Sequence, residues 1–527
     1  MQPRQLTTPQ EAVARIRDGA IVSFNGIGMI GLAEQFFLAA EARFLSEGHP
    51  RNLTIYSACG LGGSGENAYI TRLAHPGMVS RAIVGYIAPY AVFAPAVLSG
   101  EMEGYNLPQG IISTNYRAAA ARRPGFLSKV GLHTSADPRQ QGCALNDRSR
   151  EKLVELREVD GEEYLFYRTV YPDVCVLRGT TADPGGNITF EKEVNVSDSL
   201  SLAMAVHNNG GLVMVQVERL SAVPADPKDV RVPGALVDCI WLSPDQWQSN
   251  RPGYDPYLSG ECRAPEEMVE KMCRDNLTRD RAPGKPLTLA ERVIARRAAL
   301  ELKDSYLINL GIGTPMLAAS EARDMGILTP RHHVSIETGV MGGVPVPDAF
   351  GAVINADAIY DMAAQFDLYE GGGLDASFVG ALEIDRKGNV NVSAKGQLLM
   401  GVGGFNHVTQ GAKKIVVCSK FRQGSGYAVE NGRISVLEGK GSKFVEEVER
   451  ISLNAPYFRS LGKRILYVTE RAVFELEDEG LLITEVAPGL HPYFFVQAQL
   501  PFPVRVHPRV RNMPEICFKP IQKAMKP

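Results

Sequence analysis

Residues 334–344, Val-Ser-Ile-Glu-Thr-Gly-Val-Met-Gly-Gly-Val, place one carboxylate, Glu337, between a β-branched run and a bend holding Gly339, Gly342 and Gly343. A strand that ends in such a turn presents its last side chain at the carboxyl end of a sheet, where open α/β folds build ligand sites. A glutamate with an unperturbed pKa of about 4.3 is ionised at neutral pH without a base, and is a weak nucleophile. Taken alone, the stretch reads more simply as a solvated strand-end glutamate before a loop.

Other stretches offer further chemistry. Gly26-Ile-Gly28-Met-Ile-Gly31 spells G-x-G-x-x-G between a strand and a helix, as a dinucleotide site would require. The next strand, however, ends in Tyr56-Ser57 with no acidic residue to hold a ribose, and the turn Gly311-Ile-Gly313-Thr-Pro315 of the second half lacks the third glycine. A tight turn lining a site fits better than a nicotinamide cradle. The glycines Gly401, Gly403 and Gly404 of residues 400–405 could aim amides at a thioester oxygen, or approach a phosphate or pantetheine chain. A plain loop with positive φ fits them equally, and the run Gln365 to Asp375 is ambiguous in the same way.

His332 and His333 are adjacent and cannot share one face, while His133 and His407 stand alone. Asp357, Asp361, Asp367 and Asp375 lack calcium-loop spacing, the eight cysteines form no C-x-x-C pair, and there is no G-x-S-x-G elbow. Metal, serine and cysteine mechanisms are disfavoured. Glutamate remains the candidate nucleophile, with no metal expected.

The elements that must position these groups come from a long, ordinary globular chain. Its 527 residues exceed a single core, and 45% hydrophobic with 22% charged residues suit a soluble fold. A net charge of -3 gives no reason to expect nucleic acid or an anionic membrane as partner. Residues 82–100 carry no charge and approach a membrane-spanning length, but Pro89 and Pro95 interrupt them; a strand, a turn and a short buried helix are predicted. The amino-terminal residues lack a signal-peptide core and the cysteines are scattered, so the expected location is cytoplasmic.

Alternating strand and helix patterns run through the chain, and they repeat. A helix is predicted over 6–18 with Thr7 or Thr8 as N-cap, then a strand over 20–24, a helix over 32–45 and a strand over 52–56; Leu287-Thr288-Leu289 opens the same series again. Asp183-Pro-Gly-Gly186-Asn187 matches Asp385-Arg-Lys-Gly388-Asn389 at an offset of 202, and the strands beginning at Val213 and Ile415 match at the same offset. Near the start the offset is 280 or 281, so the first copy carries about 79 extra residues between Gly63 and Asp183. The expected fold is α/β, two related open, mostly parallel-sheet domains in tandem, spanning 1–275 and 276–527. Glu337 falls on Tyr56 or Ser57 of the first copy, neither acidic, which suggests that one copy alone keeps a reactive group.

Ser335-Ile-Glu337-Thr-Gly-Val-Met-Gly-Gly343, Gln365-Phe-Asp-Leu-Tyr-Glu-Gly-Gly-Gly-Leu-Asp375, Gly388-Asn-Val-Asn-Val-Ser393 and Gly401-Val-Gly-Gly-Phe405 together resemble the family I CoA-transferases, most of all the single-chain acetate/propionate type. Asn106-Leu-Pro-Gln-Gly110, Gly131-Leu-His-Thr134 with Asp137-Pro-Arg139, and Tyr467-Val-Thr-Glu-Arg471 extend the likeness over nearly the whole chain. The resemblance implies a NagB-RpiA-like fold whose copies correspond to separate α and β subunits, with the active site between them. It implies Glu337 as the nucleophile that becomes a glutamyl-CoA thioester. Gly404 or Gly403 would donate an amide to the thioester oxygen, with Gly401 alongside and a second donor near Gly28. Asn391 would contact the thioester region of CoA, and Gln109 the acyl carboxylate. Coenzyme A is then a substrate and covalent intermediate, with no permanent cofactor. The expected partners are acyl-CoA and short-chain carboxylic acids, within a homo-oligomer, dimer or tetramer. An acyl-CoA hydrolase, a 3-oxoacid CoA-transferase and a non-catalytic acyl-CoA-binding protein are the alternative readings.

Overall fold

The computed structural model describes residues 6–62, 69–250, 253–278, 287–302, 306–328, 332–346, 349, 351–430 and 433–519. Gly63, used above to align the copies, and the turn-rich stretch 282–286 lie outside the described residues. The chain divides into two compact units. The first takes in Met1–Ala264, Ser335–Gly371 and Ser393–Gln410, and the second Pro265–Val334, Gly372–Val392 and Gly411–Pro527.

The first unit is built on a parallel sheet in the order Glu103–Asn106, Val79–Val84, Leu53–Ser57, Ile21–Phe24, Val174–Ala182, Leu212–Leu220, Cys239–Leu242. Val174–Ala182 is buried along its whole length, as a strand covered on both faces must be. Ile21–Phe24 neighbours Leu53–Ser57 on one side, from which the winding runs outward, and Val174–Ala182 on the other, from which it runs the opposite way, which makes the carboxyl ends here a topological switch point. The segments leaving those ends begin at Asn25, Ala58, Gly85 and Leu107.

One buried cation braces this end. Arg178, 1% exposed, pairs with Glu193 at 2.6 Å and donates to the carbonyls of Met29, Leu32 and Trp247. A buried guanidinium is tolerated because each N–H finds an acceptor, and here those acceptors include both flanks of Gly31.

The second unit holds the parallel strands Leu307–Leu310, Leu374–Val379, Ala412–Cys418 and Arg464–Val468, continued by Ala472–Glu477, Gly480–Val486 and Arg505–Asn512. The repeat seen in the sequence is also a repeat of hydrogen bonds. Thr8 with Glu11, and Thr288 with Glu291, close the same capping box. Val213 pairs with Cys175 as Ile415 pairs with Ser377, preserving the offset of 202 on both strands. Asp183 accepts from the amides of Gly185 and Asn187, and Asp385 from those of Lys387 and Asn389. In each turn the asparagine also receives a distant amide, Gly234 for Asn187 and Ala455 for Asn389.

Element limits differ modestly from expectation. The first helix spans only Pro9–Ala14; beyond it the amides of Arg15 and Ile16 donate three residues back, to Ala12 and Val13, in a tightened last turn. Residues 82–100 form the end of a strand, a 3₁₀ turn at Ala88–Phe93 and a short helix at Ala94–Leu98. Among the described residues no helix is long and apolar enough to cross a membrane. Within the interval of the extra residues lies an antiparallel sheet of Gly125–Ser128, Glu162–Arg168 and Val154–Val159.

Candidate active site

Glu337 is the first residue past the strand His333–Ile336 and is 7% exposed. The chain must turn at once, because the amide of Gly339 donates back to Ile336 and the amide of Tyr360 donates to Gly339. Gly339 has φ +89°, and a Cβ there would lie 2.0 Å from the Tyr360 carbonyl oxygen, so only glycine fits. Beside the bend, the Thr338 hydroxyl donates to the Gly351 carbonyl at 3.3 Å. This fixes the backbone on both sides of the carboxylate.

The 400–405 loop covers it. A Cβ on Gly404 would stand 2.7 Å from Cγ of Glu337 and 3.1 Å from its Oε1, so the glycine backbone lies directly against the side chain. The preceding amides are committed to holding the loop. Gly401 donates to Ser393, Val402 to Oδ1 of Asn106, and Gly403 to the Gly85 carbonyl at 2.8 Å. Among the described residues the Gly404 amide has no acceptor. Of these two glycines, the amide of Gly403 is engaged with Gly85, and it is the backbone of Gly404 that lies against the carboxylate. Gly28 is engaged in the same way, its amide donating to Gly60 and its carbonyl accepting from Gly62.

Gln109 opens the helix Gln109–Ala120 next to this loop, with its backbone amide donating to the Gly403 carbonyl at 2.8 Å. Its side chain, 4% exposed, donates to Sγ of Cys59 at 3.0 Å and Sδ of Met362 at 3.4 Å. Burial, and then the negative charges of Asp198 and Glu337, push the Cys59 thiol well above its usual range. It is therefore a thiol, not a thiolate. Glu337, Gly404, Gly403, Gln109, Cys59 and Met362 all belong to the first unit, although they come from both halves of the sequence.

The sequence family described as Coenzyme A transferase matches residues 6–243. Caffeate CoA-transferase of Acetobacterium woodii is 37% identical over 97% of this chain and 96% of its own. Acetate CoA-transferase YdiF of Escherichia coli K12 is 36% identical over 97% and 94%. This chain belongs to the coenzyme A transferase family. The crystal structure of the acyl-CoA transferase YdiF apoenzyme from E. coli O157:H7 superposes with a TM-score of 0.90, at 34% identity, covering 98% of this chain and 97% of that one. A second structure of that protein, as a thioester complex with CoA, gives 0.89. The protein is a CoA-transferase of open α/β architecture.

The remaining residues singled out in this CoA-transferase separate into distinct places. Asn391 lies in the second unit on the strand Val390–Asn391, its side-chain Nδ2 donating to the Glu383 carboxylate at 2.9 Å. His407, by contrast, is in the first unit one turn after Gly404, fully buried, with its backbone amide donating to the Gly404 carbonyl. Neither of its ring nitrogens has a hydrogen-bond partner among the described residues, and the Phe366 ring stands edge-on at 4.7 Å. Burial pushes this imidazole down to about 3. Asp361 caps the helix Met362–Glu370, and with Asp367 it binds Arg117. No group of His, Cys, Asp and Glu among the described residues is arranged to hold a metal ion.

Cys59 and Met362 are the neighbours that sequence reasoning missed. A signal for Cys59 existed, since the repeat set Tyr56 and Ser57 opposite Glu337 and so marked that strand end. Met362 carried none, being 303 residues from Cys59.

Proposed function

We propose that the protein transfers CoA from a short-chain acyl-CoA to a free short-chain carboxylate, by a ping-pong route through a thioester on Glu337. The observation that carries this is the buried Glu337 carboxylate lying against Gly404, whose amide has no acceptor among the described residues. A Glu337 oxygen attacks the acyl-CoA carbonyl; a C–O bond forms, the C–S bond breaks, and a mixed anhydride and CoA thiolate result. The thiolate attacks the glutamyl carbonyl, forming glutamyl-CoA and releasing the first acid as its carboxylate. A second carboxylate then attacks glutamyl-CoA, and the same steps in reverse release the new acyl-CoA. One thioester replaces another, so the balance closes without ATP and without net proton transfer.

Gly404 supplies an amide to the oxyanion that develops at each attack, a contribution worth about 10²–10³ in rate for one such donor. Gln109 is held in the resting site by sulfur atoms, which are weak acceptors, so an arriving carboxylate oxygen is the stronger partner for its amide. Asn391 is assigned to the thioester region of CoA on family grounds. Acetate and propionate are the proposed acids, supported by the sequence resemblance and by the relative named acetate CoA-transferase.

Incubation with acetyl-CoA should add the mass of CoA at Glu337, and Glu337→Gln should lose both the adduct and transfer activity. Full activity in that variant would end the assignment. Turnover should require an acceptor acid; sustained release of CoA without one would establish a hydrolase. An acceptor panel of short acids and hydroxycinnamates tests the acid class, and preference for the aromatic acids would overturn the short-chain reading.

A further inference from the structure

We infer that Asn106 is a positioning residue that fixes the orientation of the Gly404 peptide beside Glu337 by gripping the glycine loop from its middle. The inference rests on the Glu337 mechanism proposed above. Asn106 ends the strand Glu103–Asn106 and is 7% exposed. Its Nδ2 donates to the carbonyls of Val84 at 2.9 Å and Gly85 at 2.7 Å, its Oδ1 accepts from the amide of Val402 at 2.9 Å, and its own amide donates to Cys143 at 2.8 Å. The Gly85 oxygen that it orients also receives the amide of Gly403. Two consecutive amides of the loop are thus fixed by one side chain and the carbonyl it holds.

Peptide planarity carries the effect to the next amide. In a trans peptide the C=O of one residue and the N–H of the next point in opposite directions within one plane. The Gly403 carbonyl is held by the amide of Gln109, so the Gly404 N–H must point the other way. With Val402 and Gly403 pinned behind it, this plane cannot rotate to relieve the unmet donor. A carboxamide suits the task because it donates twice and accepts in one plane; an aspartate would set a charge against two carbonyl oxygens, and a serine is too short.

The test compares the wild-type enzyme with Asn106→Ala and Asn106→Asp, reading the single-turnover rate of CoA addition at Glu337, steady-state kcat and KM, and thermal unfolding. The Asn106→Ala variant should acquire CoA on the order of 10²-fold more slowly, with the acyl-CoA KM within about threefold, because only transition-state stabilisation is lost. Asn106→Asp should fall between, since it keeps the acceptor for Val402. Unchanged adduct rates in both variants, or a loss carried by KM alone, would overturn the proposal. So would the loss of cooperative unfolding in both, which would make Asn106 a determinant of the fold. Failure of the wild-type enzyme to acquire CoA at Glu337 would instead bring down the mechanism, and this inference with it.

Discussion

Gly404 has no room for a side chain at the point where the loop meets Glu337. Replacing it with alanine would put a methyl carbon 2.7 Å from Cγ of Glu337, forcing the carboxylate out of its rotamer or the loop off its amide contacts. Either displacement moves the proposed nucleophile by about an ångström, which is enough to cost about 10²-fold in rate. Gly404→Ala should therefore reduce kcat by about that factor while the unfolding temperature changes by only a few degrees; steady-state kinetics beside calorimetry check it, and a variant with full kcat would contradict the contact. Glu337 and the glycines stood out in the sequence as candidates because of their residue types and spacing. Which amide remains available was not legible there. The direction of the Gly403 N–H is set by Gly85, more than 300 residues away in the chain, and no local pattern encodes it.

The short helix Phe405–Gly411 that follows the loop carries His407 into an apolar setting. Its imidazole is held neutral by burial, with a folded-state value of about 3 against about 6.5 when unfolded. The folded pKa is depressed, so below about pH 6.5 the unfolded chain takes up a proton that the folded chain refuses, and stability falls as the pH falls toward 3. Between pH 6.5 and 4.5 the wild-type protein should lose roughly 2–3 kcal/mol more than His407→Gln, measured as the difference in denaturant midpoints; parallel pH profiles would show that His407 is not the group concerned. The helix Met362–Glu370 packs nearby on Gln109–Ala120, secured by Arg117 to Asp361 and Asp367 and by Ser128 to Glu370. Neither helix was predicted from the sequence, where residues 365–375 stand as an ambiguous glycine-bearing run. Their partners were equally illegible, because ion pairs between residues 244 and 250 positions apart leave no trace in a window of sequence.

Across the whole molecule, the tandem pattern read from glycine and asparagine spacing extends to strand register, capping boxes and the Asp–Asn turns. Such turns are legible because an aspartate binding the amides two and four residues on requires a fixed local sequence. The grouping of segments into compact units was less accessible. Ser335–Gly371 and Ser393–Gln410 are covalently part of the second half, yet their contacts lie with Met1–Ala264 in the first unit. Hydrophobic patterning tells which face of a segment is buried, but not against which distant segment.

That interleaving bears on how the gene could be divided. If the chain were cut between Ala264 and Pro265, the amino-terminal polypeptide would lack Glu337, Met362 and Gly404, together with the segments that cover Gln109 and Cys59. Each product would carry only part of the proposed site, and the two would be obliged to find each other. Co-expressed, the fragments should co-purify and regain CoA-transferase activity, while each alone should be inactive and poorly soluble; activity in one isolated fragment would contradict the arrangement. Fusion into one polypeptide then serves mainly to keep the two parts at high effective concentration and equal dosage. Two open reading frames bound to be inherited together could do the same work.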